Sequence, residues 1–286
     1  MSKGVRYMLQ ASFFFAVMNV MVKYVSNIPA VEIVFFRSIV SLVLSYGFLK
    51  KQNVSVWGHN KPILILRGLA GSIALCSFFI TIQNIPLASA ITIHYLSPIF
   101  TAIIGIYFVK ERVHKWQWLF FAIAFCGILI IQGFDARVSI GYTILGVIAA
   151  LLSGVAYNCI RKLKDSEHPL VIIFYFPLVT LPLSSIYLLF DWVAPVGWDW
   201  MWLLLIGLST QFAQYFMTKS YQSEDLSKVA SLNYIGIIYA LGFGYIFFDE
   251  SYDWLVYVGM GVVLTGVILN IWYKTRLGKS TTNPNS

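Results

Sequence analysis

The chain has 286 residues, of which 59% are hydrophobic and 11% charged, with a mean hydropathy of +0.76 and a formal net charge of +8. This composition lies far outside that of soluble globular domains, so it excludes a soluble protein and indicates a polytopic membrane protein. Long apolar runs of this kind favour transmembrane helices over the short alternating strands of an outer-membrane barrel.

Ten apolar runs long enough to span a bilayer follow one another with short connections. They are predicted at residues 5–25, 30–49, 62–83, 87–109, 116–133, 140–160, 169–190, 198–221, 227–248 and 254–273. The predicted fold class is therefore an all-α integral membrane protein with ten transmembrane helices. The spans use almost the whole chain, which excludes a separate soluble catalytic domain.

Basic residues alternate from one connection to the next. They cluster at the N-terminus, in the even-numbered loops and in the tail, whereas the odd-numbered loops are acidic or neutral apart from Arg137 and Lys23. By the positive-inside rule, both termini are predicted to be cytoplasmic, in a multi-pass protein of the cell (inner or plasma) membrane. Topology then explains the positive net charge, so no nucleic-acid partner is expected. The expected partners are the lipid bilayer and a small-molecule substrate, and a homodimer is left open.

An internal repeat relates the two halves of the chain at an offset of 139 residues. The offset pairs Asn19 with Asn158, Lys23 with Lys162, Gly68 with Gly207, Glu111 with Glu250 and Gly127 with Gly266. Because each half contains an odd number of spans, the second half must enter the membrane from the opposite side, so the repeat is inverted. The predicted organisation is a first five-helix repeat at 1–135, a second at 136–274 and a cytoplasmic disordered tail at 275–286. Inverted repeats are typical of secondary carriers with a site near the midplane.

Several motifs carry a family resemblance over nearly the whole chain. They are "NVMVKYVSN" and "EIVFFRSIV" in the first two spans, "LRGLAG" in the third, "LSPIFTAIIGIYFVKER" in the fourth and "AFCGILII" in the fifth. With them the chain resembles the ten-helix EamA-like carriers of the drug/metabolite transporter (DMT) superfamily, and the second and third motifs look most like the branch of bacterial S-adenosylmethionine uptake carriers. The family often has a proline in both halves near Pro98, whose counterpart here is Ile237. A bend is therefore expected in the fourth span but not in the ninth.

Arg37 lies about 10 Å inside the second span, since it is the eighth residue after Pro29. An arginine at a helix centre costs about 2.5 to 3.5 kcal/mol to insert, so it should face a partner or a wet cavity. The functional interpretation is that its planar guanidinium binds a carboxylate or phosphate group of the substrate. The structural alternative is a clamp that hydrogen-bonds neighbouring helices, and the sequence does not decide between them.

Lys23 and Glu32 end adjacent spans at the predicted outer side, so an ion pair between them is expected. In a second hypothesis Glu32, the one carboxylate partly inside the predicted spans, couples transport to protons. Glu111 and Glu250 follow the fourth and ninth spans and are interpreted as caps or anchors of the helix that comes next.

Other polar and aromatic residues within the spans complete the candidate substrate site. They are His94, Tyr95, Asn19, Tyr157, Asn158, Tyr175, Gln211, Gln214, Asn233 and Tyr234. Histidine, amide and tyrosine side chains can line a polar cavity or stack on a flat ligand, although any one of them can equally be a hydrogen-bonded packing residue.

A secondary transporter that moves a small organic metabolite by alternating access is the predicted function, with an amino acid, an amine or a related zwitterion or nucleoside-like compound as substrate class. A membrane-embedded enzyme is the first alternative, but the chain has no HExxH, GxSxG or phosphate-binding glycine loop, and Cys76, Cys126 and Cys159 show no metal-ligand spacing. No cofactor, metal or catalytic residue is therefore expected. A channel or receptor is the second alternative, and no filter segment supports it.

Overall fold

The computed structural model of the protein describes residues 3–108, 115–190, 192–223 and 235–282, and within them the only regular secondary structure is helix. The helices are α1 (Lys3–Tyr24), α2 (Ala30–Lys51), α3 (Lys61–Asn84), α4 (Leu87–His94), α5 (Ser97–Phe108), α6 (Lys115–Phe134), α7 (Ile140–Lys162), α8 (Pro169–Leu188), α9 (Asp199–Ser223), α10 (Ile235–Phe248) and α11 (Trp254–Thr282). The predicted all-α class is confirmed. Helices α4 and α5 share the fourth span, and α10 is the described part of the ninth.

Proline marks several helix starts, at Pro29 before α2, Pro62 in α3, Pro86 before α4 and Pro169 in α8. A proline is tolerated there because the first N–H groups of a helix have no partner inside it. Helix α7 begins differently, after Ser139, whose Oγ accepts a hydrogen bond from the Tyr142 N–H at 3.4 Å. These local signals place the connections close to where the sequence predicts them.

By length and composition, six stretches of the described chain can cross a membrane: α1, α2, α3, α4 with α5, α7 and α8. Three shorter apolar stretches lie in α6, α10 and α11, at Lys115–Ile131, Gly236–Phe248 and Trp254–Asn270. Helix α9 has 25 residues and includes several buried polar side chains, among them Thr210, Gln211 and Thr218. These side chains face the protein interior.

The fourth span is interrupted at Tyr95 and Leu96, between α4 and α5. Pro98 lies one residue after the start of α5, and its ring nitrogen cannot donate to the carbonyl of His94 four residues earlier. The Tyr95 N–H still bonds back to Ile91 O at 3.1 Å, so α4 closes its last turn before the break. The break in the helix lies where the sequence predicts the bend. The counterpart stretch of the ninth span, 224–234, lies outside the described residues.

Helix contacts in the described part of the bundle come in pairs related by a two-fold axis between the halves. Helices α2 and α8 pack together, as do α6 and α11, and each of these pairs is a helix with its repeat counterpart. Helix α1 packs on α9 as α3 packs on α7, and α2 packs on α9 as α3 packs on α8. This is the pattern of an inverted repeat, and it confirms that part of the predicted fold class.

Two glycine contacts repeat the symmetry at the level of single residues. A Cβ atom added to Gly68 would lie 2.7 Å from the Val179 Cβ, and one added to Gly207 would lie 2.6 Å from the Val40 Cβ. Val40 and Val179 are separated by the same 139 residues as the two glycines. Only glycine permits this approach, so α3 meets α8, and α9 meets α2, at backbone distance.

Two hydrogen bonds at the centre follow the same relation. Ser41 Oγ donates to Gln211 Oε1 at 2.6 Å, and the hydroxyls of Ser72 and Thr180 lie 2.5 Å apart. Thr180 is the counterpart of Ser41, and Gln211 that of Ser72, at the offset of 139. Helices α2, α3, α8 and α9 therefore meet around the two-fold axis.

The last helix differs from the sequence prediction at its end. The predicted disordered tail begins at residue 275, but α11 continues through Thr282. Arg276, Leu277 and Lys279 are good helix formers, whereas the other residues of this extension are glycine, serine and threonine. The extension adds turns to a helix that is already nucleated, which costs less than starting a new one. Residues 283–286 lie outside the described part.

Candidate functional site

Arg37 lies at the contact between α2 and α8, close to the two-fold axis. Its surface is 1% exposed, and its guanidinium carbon lies 5.0 Å from the centre of the Phe176 ring. Nε and Nη2 are buried and have no hydrogen-bond acceptor among the described residues. These two nitrogens lie on one edge of the guanidinium and form the fork that matches a carboxylate. The structure thus contains no clamp from this edge to neighbouring backbone within the described chain.

A second arginine, Arg67 of α3, lies over the same ring and is not among the site residues that the sequence predicts. Its guanidinium carbon is 4.4 Å from the Phe176 ring centre, and its surface is 3% exposed. Nη2 donates to Gln214 Oε1 at 3.4 Å, whereas Nε and Nη1 have no acceptor in the described part of the chain. A guanidinium inside the run "ILILRGLAG" carries the same insertion cost that identified Arg37, so the signal was present in the sequence.

The glutamines of α9 complete this group of side chains. Gln211 accepts from Ser41 Oγ and donates through Nε2 to Ser45 Oγ at 3.0 Å, so both of its bonds reach α2. Gln214 contacts Arg67 instead. We call Arg37, Arg67, Phe176, Gln211 and Gln214 the arginine cluster.

The predicted aromatic residues of the second half lie beside the arginine cluster. Tyr175 precedes Phe176 in α8 and is buried, with its ring centre 6.3 Å from that of Phe174. Tyr157 of α7 is half-buried and lies near Arg67. Their roles as ligands stay predictions.

His94 and Tyr95 lie apart from the cluster, at the break in the fourth span. The His94 ring stacks on Phe78 of α3 with centres 4.2 Å apart, which is a packing contact. The Tyr95 hydroxyl lies against the backbone of Gly236 in α10. Tyr95 therefore joins the break to the second half of the protein.

The repeated asparagines are both buried in the first helix of their repeat. Asn158 donates through Nδ2 to Thr101 O and to Gly154 O, each at 2.9 Å, and so ties α7 to α5. Asn19 is buried in α1 and its Oδ1 has no donor among the described residues. Asn233 and Tyr234, the remaining predicted site residues, lie outside the described residues.

The expected ion pair between Lys23 and Glu32 is wrong. Lys23 Nζ lies 2.9 Å from Glu250 Oε1 and also donates to Ile85 O at 2.8 Å. Glu32 Oε2 accepts from the Val193 N–H at 3.0 Å, in the connection before α9. Tertiary packing of α1 against α4 and α10 selects the lysine's partner, rather than the short connection through Pro29. Proton coupling through Glu32 stays a prediction.

Glu250 is the centre of a polar network at the predicted outer end of the bundle. Both of its carboxylate oxygens accept from the Leu87 N–H, at 3.1 and 2.9 Å, and Tyr252 donates to Oε2 at 2.7 Å. Glu250 thus caps α4, and not the following helix α11 as the sequence analysis expects. We call Lys23, Glu250, Tyr252 and the start of α4 the outer network. Glu111, its repeat counterpart, lies outside the described residues.

Arg137 lies beside the outer network and joins two connections of the chain. It pairs with Asp135 at 2.8 Å and donates to Ser251 O at 2.9 Å. The hydrogen bond to the Asp135 carboxylate raises the pKa of Arg137 above its ordinary value. The connection before α7 is thereby fastened to the connection before α11.

In the described ranges, no group of three or more His, Cys, Asp or Glu side chains is arranged to hold a metal ion. The arginine cluster offers a ligand two positive charges and several hydrogen-bond donors, and both charged groups lie over the Phe176 ring.

Comparison with known sequences decides the family. The profile of the EamA-like transporter family matches residues 2–133 and again 140–272. The chain belongs to the EamA-like transporter family. The expected membership in the DMT superfamily is thus confirmed, and the protein is a multi-pass membrane protein of a transporter family.

Relatives of this EamA-like chain carry the names of transporters. The pseudopaline exporter CntI of Pseudomonas aeruginosa PAO1 is 33% identical over 94% of this chain and 95% of the exporter. Solute carrier family 35 member G1 of Mus musculus is 31% identical over 94% of this chain and 79% of the carrier. The S-adenosylmethionine uptake transporter of Rickettsia felis, from the branch that the motifs suggest, is 23% identical over 89% of this chain and 87% of that transporter.

The EamA-like fold is also seen in a solved crystal structure. It matches with a TM-score of 0.70 over 97% of this chain and 99% of that chain, at 16% sequence identity. This likeness bears on the fold alone.

Proposed function

We propose that this chain is a secondary transporter that moves a small organic metabolite across the cytoplasmic membrane, with Arg37 as a substrate ligand. The observation that carries the proposal is the buried Arg37 fork, whose Nε and Nη2 donors have no acceptor among the described residues. A charged group buried in this way costs free energy unless something compensates it. A bound acidic group would supply that compensation during the transport cycle.

The position of Arg37 supports alternating access. Its neighbour Phe176 belongs to the second repeat, whereas Arg37 itself belongs to the first. A ligand held here contacts both halves, so relative movement of the halves would open the site first to one side and then to the other. The named relatives include an exporter and an uptake carrier, and we therefore propose no direction.

An orientation with both termini in the cytoplasm is part of the proposal. It rests on the alternating basic loops and puts the outer network on the external side. In a cysteine-free background, a membrane-impermeant maleimide should label Ala194→Cys in intact cells and label Ser55→Cys only after permeabilisation, since both positions are exposed. The reverse labelling pattern would contradict the orientation.

Transport is tested by reconstitution into proteoliposomes. Vesicles with and without the protein are incubated in a mixture of metabolites, and the solutes inside are identified by mass spectrometry. Chemically unchanged solute should accumulate or exchange only in vesicles that contain the protein, and a chemically altered product would favour the enzyme instead. A complete lack of protein-dependent solute movement across a broad mixture would refute the proposal.

Variants then separate binding from structure. Arg37→Gln should weaken the apparent affinity for the transported solute about 10- to 100-fold, because a charge-assisted hydrogen bond is lost. Arg37→Lys keeps the charge but loses the fork, and should give a smaller loss. Arg276→Gln is the matched control, since Arg276 is exposed and also lies over an aromatic ring, that of Trp272 at 4.1 Å. Unchanged affinity in Arg37→Gln would assign Arg37 a structural role.

A further inference from the structure

The arginine cluster contains two positive charges on one aromatic ring. The guanidinium carbons of Arg37 and Arg67 lie 5.0 and 4.4 Å from the Phe176 ring centre, so they cannot be farther apart than the sum of these distances. Aromatic faces attract cations, and Phe176 therefore offers both groups a favourable surface. One neutral ring offsets only part of the cost of two buried charges.

The described part of the chain supplies no carboxylate to these arginines. The ion pairs found there, with N···O distances of at most 4.0 Å, are those of Lys23 with Glu250 and of Arg137 with Asp135. Like charges repel strongly where water is excluded, and each guanidinium also keeps two donors without an acceptor. The protein groups described around the cluster thus leave a positive charge of two.

The hydrogen bonds of the surrounding polar groups limit which ligands the arginine cluster can bind. Gln211 is engaged with Ser41 and Ser45, and the Gln214 oxygen is engaged with Arg67. The strongest donors that are left are Nε and Nη2 of Arg37 and Nε and Nη1 of Arg67. Nε and Nη2 of Arg37 share one edge and suit a bidentate acidic group, whereas Nε and Nη1 of Arg67 lie on different edges and each offers a single contact. The donors come from different helices of the first repeat.

We infer that Arg37 and Arg67 act together to bind a substrate that carries two negative charges on acidic oxygen groups, with the Phe176 ring packed against both guanidiniums. A dicarboxylate places one carboxylate on each arginine, and a phosphate monoester places one dianionic group between them. This inference rests on the proposed function, because it names the substrate class of the same site. It also makes Arg67 a second ligand beside Arg37.

Direct binding measurements on the purified full-length protein in detergent distinguish a phosphate ligand from a dicarboxylate ligand. The probes are succinate, its monoamide succinamate and inorganic phosphate, each compared at equal ionic strength by thermal-shift titration. Succinamate has nearly the shape of succinate but one negative charge fewer. Succinate should bind at least about 10-fold more tightly than succinamate, because one charge-assisted contact is absent in the monoamide.

Variants assign the second charge to Arg67. In Arg67→Gln and in Arg37→Gln the preference for succinate over succinamate should disappear, whereas Arg276→Gln should keep it. Arg67→Lys serves as a second variant that keeps the buried charge, and it should retain part of the preference. Another outcome is that phosphate binds in a manner that depends on both arginines while succinate does not bind. That result would support a doubly charged ligand and identify its acidic group as a phosphoryl group.

Two results would overturn the inference. One is the absence of binding by both succinate and phosphate, and the other is equal affinity for succinate and succinamate in the unaltered protein. Neither result bears on whether proteoliposomes move a solute. Binding of the dianion without any transport would refute the proposed function and leave the ligand class standing.

Discussion

Two regions of the bundle hold basic side chains in its interior, and they differ in whether those side chains have acidic partners. In the outer network, Lys23 contacts the Glu250 carboxylate and the Ile85 carbonyl, and the carboxylate in turn accepts from Leu87 and Tyr252. In the arginine cluster, Arg37 and Arg67 share an aromatic ring, Arg67 donates to one amide oxygen, and the described chain gives neither guanidinium a carboxylate partner.

This difference separates a structural use of charge from a ligand-binding use. A network in which each donor meets an acceptor stabilises the arrangement that it joins, here the ends of α1, α4 and α10. A charge whose donors are left over raises the free energy of the folded protein until a ligand arrives. The comparison therefore predicts opposite effects on stability when the two kinds of cation are removed.

The largest effect is expected in the outer network. Lys23→Met should lower the free energy of unfolding in detergent micelles by about 3 kcal/mol, because it leaves a buried carboxylate without its cation. Glu250→Gln should have a similar cost for the complementary reason. The double variant should lose clearly less than the two single variants combined, and a denaturant titration of all four proteins measures this coupling.

An exposed cation without a carboxylate partner in the described chain provides the control for that cycle. Arg276 is exposed and its guanidinium carbon lies 4.1 Å from the Trp272 ring centre, so Arg276→Gln should cost less than about 1 kcal/mol. Strictly additive losses at Lys23 and Glu250 would show that their contact carries no energy. The outer network would then resemble the arginine cluster, because its cation would gain no stability from a partner.

A smaller effect of opposite sign is expected at the arginine cluster. Arg37→Met and Arg67→Met should each raise the free energy of unfolding by about 1 to 2 kcal/mol, since an apolar chain replaces a buried guanidinium that has two nitrogens without hydrogen-bond acceptors in the described chain. The same titration measures the change. A loss of stability comparable to that of Lys23→Met would contradict the comparison and favour the structural clamp.

The smallest effect concerns a cap at the predicted inner end. His168 Nδ1 accepts from the Leu170 N–H at 3.3 Å, and burial lowers the pKa of His168 below its ordinary value of 6.5. The neutral ring is the form that caps α8, so this stabilisation is complete above pH 6.5 and is lost as the pH falls through the lowered pKa. His168→Asn keeps an acceptor that does not titrate in this range.

Melting temperatures between about pH 7.5 and about pH 5 check the prediction. His168→Asn should be less sensitive to acid than the unaltered protein, with a difference below about 1 kcal/mol in stability. Equal sensitivity of the two proteins would show that the Nδ1 contact does not titrate in this range.

The sequence predicted what depends on local rules. Apolar runs located the spans to within a few residues at most ends, and Pro98 located the break at Tyr95 and Leu96 because a missing N–H has a fixed local consequence. The cost of burying a charge identified Arg37 as a residue that must face the interior, where it is.

What the sequence did not predict depends on partners that lie far away in the chain. Lys23 was assigned to Glu32, nine residues on, but it meets Glu250 because α1 and α10 pack together. Arg67 was overlooked because the seventh residue of a helix that starts at a basic end resembles an interfacial residue that extends to water. Its shared contact with Arg37 on Phe176 becomes visible only when α3 and α8 are placed side by side.

The paired glycine contacts also show how the two halves of the chain differ around their shared axis. Val40 and Gly68 both belong to the first half, so two antiparallel copies of that half alone would make both contacts with each other, as an isologous dimer does. Such a dimer would also bring four guanidiniums to its centre. In this chain the positions that correspond to Arg37 and Arg67 hold Phe176 and Ile206. The two halves therefore differ at the two-fold axis: the first carries both charges, and the second supplies the aromatic ring on which they lie.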